Sequence, residues 1–147
     1  MSSFKGTYHY SLDSKGRINI PAKLRKYVSL EAKDTFVVTR GYDQCLFVYP
    51  LDEWNGQEAL IRKLTQSDPR NRFLMRTLLQ YATETELDGQ SRIMIPRELL
   101  EFARVQGPVT MIGMLDHIEV WNPQVYEEYL KTQTETYESV AQEVFKK

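Results

Sequence analysis

Residues 13–24 read DSKGRINIPAKL, and residues 88–99 read DGQSRIMIPREL. At a shift of 75 positions the two segments are identical at six of twelve residues, including the Asp that opens each segment and the Arg four positions later. Further along, DQCLFVYP (43–50) aligns with DHIEVWNP (116–123) at a shift of 73, so a loop of the second copy is two residues shorter. The chain therefore contains an internal repeat.

The two copies are predicted to share one core. Each spans roughly 45 residues, which is close to the size below which a unit rarely folds alone. Each copy is therefore expected to complete the core of the other, as the subunits of a dimer do. Within a copy the pattern predicts a strand, a tight turn, a strand, a short helix and two more strands. Ile18 and Ile20 alternate with polar residues, which puts both isoleucines on one face and Arg17 on the opposite face.

The segments outside the copies are predicted to be helical. Residues 52–64 form one helix, and Ser67 or Asp68 caps a second helix that opens at Pro69. Residues 124–145 are predicted to form one long polar-acidic helix. The predicted domains are repeat 1 at 7–54, a helical linker at 55–82, repeat 2 at 83–126 and an acidic C-terminal helix at 127–147.

The linker helix also carries three arginines, at positions 70, 72 and 76. Arg72 and Arg76 lie one turn apart and share a face, which is either simply solvated or assists an interface with a neighbouring subunit. The apolar residues of this segment are predicted to pack onto the repeats: Phe73, Leu74, Leu78 and Tyr81.

The charge of the chain is distributed unevenly. The formal net charge of all 147 residues is -1, but residues 1–50 carry +4, residues 51–83 carry +1 and residues 84–147 carry -6. Such asymmetry either steers a charged partner or reflects ordinary fluctuation along a chain, and composition alone leaves both interpretations open.

The composition argues against several classes of protein. Cys45 is the sole cysteine, which excludes an intrachain disulfide and a Cys-based zinc site. Because His9 and His117 are the only histidines, neither a metal centre nor a cofactor is expected. The chain has no apolar run that could span a bilayer and no signal-peptide core at its start, so we expect a cytoplasmic protein. It also has no nucleophile motif, phosphate loop or HExxH, so neither an enzyme nor a small-molecule substrate is expected.

The two copies differ most in the charge around the turn. Residues 13–26 carry a net charge of +4, whereas the equivalent residues 88–101 carry -1. Because the second copy lacks these cations, the shared fold does not require them. Basic side chains in such a cluster can neutralise DNA phosphates, although a merely solvated basic face is the alternative. The candidate DNA-binding residues are Lys15, Arg17, Lys23, Arg25 and Lys26.

Four further residues are assigned to the structure of the turns. Asp13 and Asp88 can each bond the backbone of their own turn, and Gly16 can adopt a positive φ. An Asp and an Arg stand four positions apart in both copies, so each pair can brace its turn through a charge-assisted hydrogen bond. For Arg92 we favour this brace. For Arg17 the brace and a bidentate contact with a guanine edge both remain open.

The combination of these motifs closely resembles the MraZ family of bacterial transcriptional regulators, over about residues 4–130. The resemblance is carried by LDSKGRINIPAKLR (12–25), its weaker copy LDGQSRIMIPREL (87–99), the strands CLFVYP and HIEVW, and the helical middle. It implies an α+β, β-dominated fold of two tandem AbrB-like swapped-hairpin repeats. These repeats would form an intrachain pseudo-dimer barrel with a helical linker and a C-terminal helix.

The resemblance also implies a function. MraZ-like proteins are cytoplasmic and nucleoid-associated, and they bind short direct repeats of double-stranded DNA in the promoter of the division and cell-wall gene cluster. They assemble into homo-oligomeric rings. The family residues carried over to this chain are Asp13, Lys15, Gly16, Arg17 and Arg25. In the second copy Ser91 and Leu100 depart from this pattern, so DNA contact is expected from the first copy.

Two other classes of function remain as alternatives. A protein-binding module such as an antitoxin would hold its partner through an added segment; such segments are typically extended, whereas residues 124–145 are predicted to be helical. A hydrolase built around Asp13 or His9 would show turnover that disappears in His9→Ala.

Overall fold

The computed structural model describes residues 2–146. Its elements in chain order are β1 (Thr7–Ser11), β2 (Arg17–Asn19), α1 (Ala22–Arg25), a 3-10 turn (Leu30–Ala32), β3 (Thr35–Arg40), β4 (Leu46–Pro50), α2 (Leu51–Arg62), α3 (Pro69–Leu79), β5 (Thr83–Glu86), β6 (Arg92–Met94), α4 (Arg97–Ala103), β7 (Pro108–Gly113), β8 (Ile118–Trp121), α5 (Pro123–Lys131) and α6 (Tyr137–Val144). The structure is a strand-rich α+β fold in which the order of elements in the first copy recurs in the second.

The two copies exchange their first strands. The main sheet is antiparallel and has the order β1-β7-β8-β4-β3-β5. Strand β1 of the first copy pairs with β7 of the second, with Tyr8 opposite Met111. Strand β5 of the second copy pairs with β3 of the first, with Thr85 opposite Phe36. Neither copy can therefore be separated from the other without breaking a sheet.

The predicted barrel is wrong, because the main sheet is open. Within residues 2–146, β1 and β5 form the two edges of this sheet and do not pair with one another. Strands β2 and β6 pair instead as a separate two-stranded ribbon, with Ile18 opposite Ile93. Each ribbon strand has three residues and is soon followed by a proline, Pro21 or Pro96, that stands at the start of a short helix. Proline cannot donate a ladder hydrogen bond, so the ribbon strands are too short to close the sheet.

Residues of both copies form one shared hydrophobic core, as predicted. Ile18 and Ile20 are buried, and Arg17 lies on the opposite face of its strand. The buried core joins the equivalent residues of the two copies, namely Ile18, Ile20 and Leu24 with Ile93, Ile95 and Leu99. A second cluster covers the other face of the main sheet, where the Trp121 ring lies 5.0 Å from that of Tyr126 and 5.3 Å from that of Tyr129 on α5.

The helices of the linker lie close to their predicted positions. Helix α2 begins at Leu51, which falls inside the segment predicted as repeat 1. Asp68, rather than Ser67, caps α3: its Oδ1 accepts a hydrogen bond from the Arg70 N–H at 2.9 Å. Pro69 follows as the first helical residue, a position at which its missing N–H costs nothing.

The prediction of a single C-terminal helix is wrong. Helix α5 ends at Lys131 and α6 begins at Tyr137. Thr136 starts the second helix, because its Oγ1 accepts a hydrogen bond from the Ser139 N–H at 3.1 Å. Lys147, the last residue of the predicted helix, lies outside the described residues. No helix within residues 2–146 is long and apolar enough to cross a membrane.

Candidate nucleic-acid interface

The first turn, residues 13–17, is organised around the carboxylate of Asp13. Its Oδ1 accepts hydrogen bonds from the backbone N–H groups of Lys15 and Arg17, each at 2.9 Å. Its Oδ2 accepts a hydrogen bond from Nε of Arg17 at 2.7 Å. Gly16 closes the turn at φ +80°, in the left-handed region that glycine adopts without a Cβ penalty. The side chain of Asp13 thus fixes both the backbone of the turn and the direction of Arg17.

The second turn, residues 88–92, repeats this arrangement. Asp88 Oδ1 accepts from the N–H groups of Gln90 at 2.8 Å and Arg92 at 3.0 Å, and its Oδ2 accepts from Arg92 Nε at 2.9 Å. Ser91 takes the place of the glycine at φ +60°. A left-handed conformation is strained for a residue with a Cβ, so the second copy keeps the same turn at a conformational cost.

Both turn carboxylates are held in their charged form. The backbone N–H of Arg17, followed by the Arg17 side chain and the N–H of Lys15, lowers the pKa of Asp13 below its ordinary value of 3.8. Desolvation raises the pKa of Asp88, but the N–H groups of Arg92 and Gln90 and the Arg92 side chain outweigh it, so the net shift is also downward. The carboxyl groups of the two turns therefore share the direction of their pKa shift as well as their hydrogen-bond geometry.

The ribbon brings the two turn arginines onto one surface. In the β2–β6 register Arg17 lies opposite Met94, and Arg92 lies opposite Asn19. With Ile18 and Ile93 turned into the core, these four residues form the outer face of the ribbon. Arg92 Nη1 also lies 3.5 Å from Asp13 Oδ2, which links the two turns across the ribbon.

The geometry of Arg17 makes its two proposed roles compatible. The contact with Asp13 uses Nε, and within residues 2–146 the terminal nitrogens Nη1 and Nη2 have no hydrogen-bond partner. The side chain is 26% exposed. Because a bidentate contact with a base needs two N–H groups of the guanidinium fork, a braced Arg17 can still present the Nη edge to a ligand.

The antiparallel pairing of β2 with β6 separates the predicted basic cluster into two parts. The first turn borders a hollow with Arg97, Leu100 and Glu101 of α4, which belongs to the second copy. The second turn borders a hollow with Arg25 of α1, which belongs to the first copy. Lys15 thus shares its end of the ribbon with a helix that carries two glutamates. At the other end Arg25 lines the hollow of the second turn, and Lys23 and Lys26 are its neighbours along the chain.

The exposure of the five predicted DNA-binding residues differs. The side chains of Lys15, Lys23 and Lys26 are exposed, whereas Arg17 and Arg25 are half-buried. Lys26 lies over the Tyr27 ring, with Nζ 5.2 Å from the ring centroid. Of these five residues, Arg17 lies with Arg92 on the outer face of the ribbon, and Arg25 lies beside the second turn.

Sequence reasoning missed three residues of this surface. Arg92 was assigned only to its turn, although its position in the copy matches that of Arg17. Leu30 and Lys33 line the same hollow as Arg25, and Leu30 is 97% exposed. The signal for these two residues was the change of shift from 75 to 73, since it marks extra residues in the first copy between α1 and β3.

Comparison with known proteins places the repeat in a family. The family described as "MraZ protein, putative antitoxin-like" matches residues 3–77 and, a second time, residues 78–147. The two matches together cover almost all of the chain. The chain belongs to the MraZ family. The double match agrees with the internal repeat and with the strand exchange, because both divide the chain into two equivalent halves.

Several relatives within the MraZ family match along nearly their full length. Proteins named transcriptional regulator MraZ are 44% identical to the chain over 138 residues in Halothermothrix orenii and 40% identical over 141 residues in Natranaerobius thermophilus. A third, from Moorella thermoacetica, is 38% identical over 141 residues. These alignments cover 94% of both chains in the first case and 96% of both in the other two.

Proposed function

We propose that this chain is a sequence-specific DNA-binding transcriptional regulator and not an enzyme. The observation that carries the proposal is the outer face of the ribbon, where Arg17 and Arg92 lie together with the α1 cations at one end. The names of its relatives in the MraZ family support a role in transcription.

A two-stranded ribbon with arginines on its outer face is a type of element that binds in a DNA groove. The major groove of B-DNA is about 12 Å wide and admits a two-stranded β-ribbon. In the proposed complex Arg17 directs its Nη edge to a guanine, and Asp13 prevents the guanidinium from turning away. Lys15, Lys23 and Lys26 contact phosphates, which supplies affinity that does not depend on sequence.

The unequal ends of the ribbon support binding to a directional site. A DNA-binding surface with two equal halves binds a palindromic site, because the symmetry of the protein mirrors that of the DNA. Here α1 and its end carry Lys23, Arg25 and Lys26 without an acidic residue. In α4, at the other end, Arg97 is outnumbered by Glu98 and Glu101 and forms an ion pair with Glu101 at 3.0 Å. A DNA-binding surface whose two ends differ in charge is suited to direct repeats, each of which it would bind in the same orientation.

The family resemblance supports the remaining parts of the proposal. The proposed target is the set of short direct repeats in the promoter of the division and cell-wall gene cluster, bound in the cytoplasm by a nucleoid-associated protein. A ring-shaped homo-oligomer would hold several ribbons at a fixed spacing, and this raises the effective concentration of each next contact. The proposed division of the chain is an AbrB-like swapped-hairpin repeat at 7–54, a linker at 55–82, a second repeat at 83–126 and an acidic terminus at 127–147.

Fluorescence anisotropy on the chain's own upstream DNA and on a scrambled duplex, each across a salt series, tests the proposal. We expect the wild type to prefer its own DNA. The logarithm of affinity should fall with the logarithm of salt concentration, with a slope of about -0.9 for each phosphate neutralised. Arg17→Ala should reduce the preference by about 1–3 kcal/mol, the discrimination that one bidentate base contact provides.

Two control variants separate base reading from bracing. Asp13→Asn weakens the brace but leaves the Arg17 charge in place, so it should lower stability while part of the preference for the native DNA persists. Arg97→Ala removes an exposed cation from α4 and should leave the preference unchanged. Equal binding of wild type and Arg17→Ala to both duplexes would refute base reading by the ribbon. Absence of binding at low salt would refute the DNA-binding proposal itself and would favour a protein partner.

A further inference from the structure

Helix α6 exposes an apolar stripe. Tyr137, Val140, Ala141 and Val144 are spaced so that they lie on one side of the helix. No residue of α6 is buried, and Tyr137 is 83% exposed. The five residues 132–136 separate this helix from α5, whose aromatic residues pack beside Trp121. Within residues 2–146, helix α6 is thus amphipathic and its apolar side is largely exposed.

Acidic side chains flank this stripe. At 100° per residue, Glu138 falls beside one edge of the stripe and Glu143 beside the other. Within residues 2–146 neither glutamate forms an ion pair. The helix therefore presents an apolar stripe with one glutamate on each side.

Helix α3 carries the opposite pattern. Phe73 is 72% exposed and the neighbouring Leu74 is also exposed, which corrects the prediction that both pack onto the repeats. Arg70 and Arg76 lie three residues before and after Phe73, so they flank its ring along the helix surface. Helix α3 contains no acidic residue, and within residues 2–146 neither arginine pairs with a carboxylate. Arg72 is engaged otherwise, since its Nη1 donates to the Gln66 carbonyl at 2.8 Å.

We propose that α6 of one chain docks on α3 of a second copy of the same chain. In this contact the α6 stripe covers Phe73 and Leu74, while Glu138 and Glu143 face Arg70 and Arg76. The match in charge and polarity along two short helices selects this occupant, since both halves of it are exposed on every copy. The inference rests on the proposed ring and assigns the surfaces that would build it.

The contact is directional, and this determines the form of the assembly. Helices α3 and α6 are different surfaces, so each chain offers one of each and contacts follow one another head to tail. Such heterologous contacts close into a ring when the rotation between neighbours allows it. Because α6 has only eight residues, one contact is small relative to the roughly 800 Å² per partner of a stable interface. Assembly is therefore expected to depend on protein concentration.

Charge reversal with sedimentation velocity over a concentration series tests these surfaces. We expect Arg70→Glu/Arg76→Glu and, separately, Glu138→Arg/Glu143→Arg to weaken assembly at least about tenfold, because like charges then face each other. Combining the four substitutions should restore assembly in large part. Arg97→Ala/Arg104→Ala, which removes two exposed cations outside α3, is the matched control and should assemble as the wild type does.

Thiol crosslinking identifies the two surfaces directly. Cys45 is buried, so a Phe73→Cys chain and a Val140→Cys chain each carry one accessible thiol. A short bis-maleimide should join them when the two variants are mixed, and neither variant should crosslink by itself. A product that forms only within a doubly substituted chain would show that α6 docks on its own α3 and would overturn the proposal.

The outcomes separate this inference from the proposed function. A wild type that stays monomeric throughout the series, or that assembles regardless of the charge reversals, overturns the α3–α6 contact. Binding of each variant to a single copy of the DNA repeat is measured in parallel. Loss of assembly with single-repeat binding intact supports the contact, whereas failure of DNA binding in the wild type refutes the proposed function alone.

Discussion

The turns at residues 13–17 and 88–92 have nearly the same hydrogen-bond geometry, but the segments around them differ in net charge. In each, one carboxylate accepts two backbone N–H groups and the Nε of an arginine, with distances between 2.7 and 3.0 Å. Around them the first copy carries +4 over fourteen residues and the second carries -1. The residues that build the turn are thus shared by both copies, while the surrounding cations belong to one.

This difference separates the residues that build the turns from the residues proposed to bind DNA. Asp13 and Asp88 shape the two turns, and the isoleucines beneath them anchor the single ribbon that the two copies form together. The antiparallel β2–β6 pairing places α1 beside the turn of the other copy, where Arg25 lines the same hollow as Asp88 and Ser91. The basic surface is therefore a property of the paired copies, and neither copy could form it alone.

The largest effect is expected from substitutions in the core, which test whether equivalent residues of the two copies contribute equally to stability. Ile18 and Ile93 face each other across the ribbon and are both 0% exposed. Ile18→Ala and Ile93→Ala should each lower the free energy of unfolding by about 2–5 kcal/mol, because each leaves a cavity in the shared core. Denaturant unfolding measures both values. A large loss for one substitution with almost none for the other would break the equivalence of the copies.

The next effect tests whether the copies are unequal at the surface. Lys23→Glu/Arg25→Leu/Lys26→Glu gives α1 the residues of the second copy. DNA affinity should fall at least about tenfold, which is about 1.4 kcal/mol, and the salt slope should become shallower by about 0.9 for each phosphate that is no longer neutralised. Anisotropy measures the affinity and circular dichroism checks the fold. Glu98→Gln, the control on α4, should not weaken binding.

A smaller effect compares the left-handed positions of the two turns. Gly16→Ser should destabilise the chain by about 1 kcal/mol, because a Cβ is strained at positive φ. Ser91→Gly removes that strain but makes the unfolded chain more flexible, so it should stabilise by at most about 0.5 kcal/mol. Thermal unfolding of the two variants measures both changes. Changes of the same sign would contradict the account of the turn.

The smallest effect concerns pH. The pKa of Asp13 and that of Asp88 are both lowered from 3.8, so the charged carboxylates stabilise the folded state at and above pH 3.8. This stability is lost as the pH falls below 3.8 toward the folded pKa values. In Asp13→Asn/Asp88→Asn the melting temperature should be lower than that of the wild type at neutral pH. The difference should shrink below pH 3.8; a difference that stays constant would show that the turn carboxylates do not act through their charge.

Much of the fold could be predicted from the sequence, because it rests on local signals. The alternation around Ile18 and Ile20, the Asp-to-Arg spacing and the Asp68–Pro69 helix start each depend on neighbouring residues. The open sheet was not predictable in this way, since it depends on β2 pairing with β6 instead of bridging β1 and β5. The break before α6 had a local signal in Thr136, but the continuous polar-acidic character of the segment obscured it.

The candidate site was predictable in its residues but not in its arrangement. The charge difference between the copies predicts Lys15, Arg17 and the cations of α1 as the residues that bind DNA, and this remains a prediction. Which turn each cation accompanies follows from the pairing of β2 with β6, a long-range contact that leaves no mark in the local sequence. Arg92 was likewise undervalued, since only the β2–β6 register brings it beside Arg17.

Hydrogen exchange measured by mass spectrometry, with and without the native duplex, tests the central claim most directly. The account predicts protection on DNA binding along residues 15–26 and 88–94, which form the ribbon and the basic end with α1. Little change is expected along residues 97–103 of α4, which lies beside the first turn at the other end. Protection centred on α4, or protection absent from the ribbon, would contradict the claim that this face of the paired copies binds DNA.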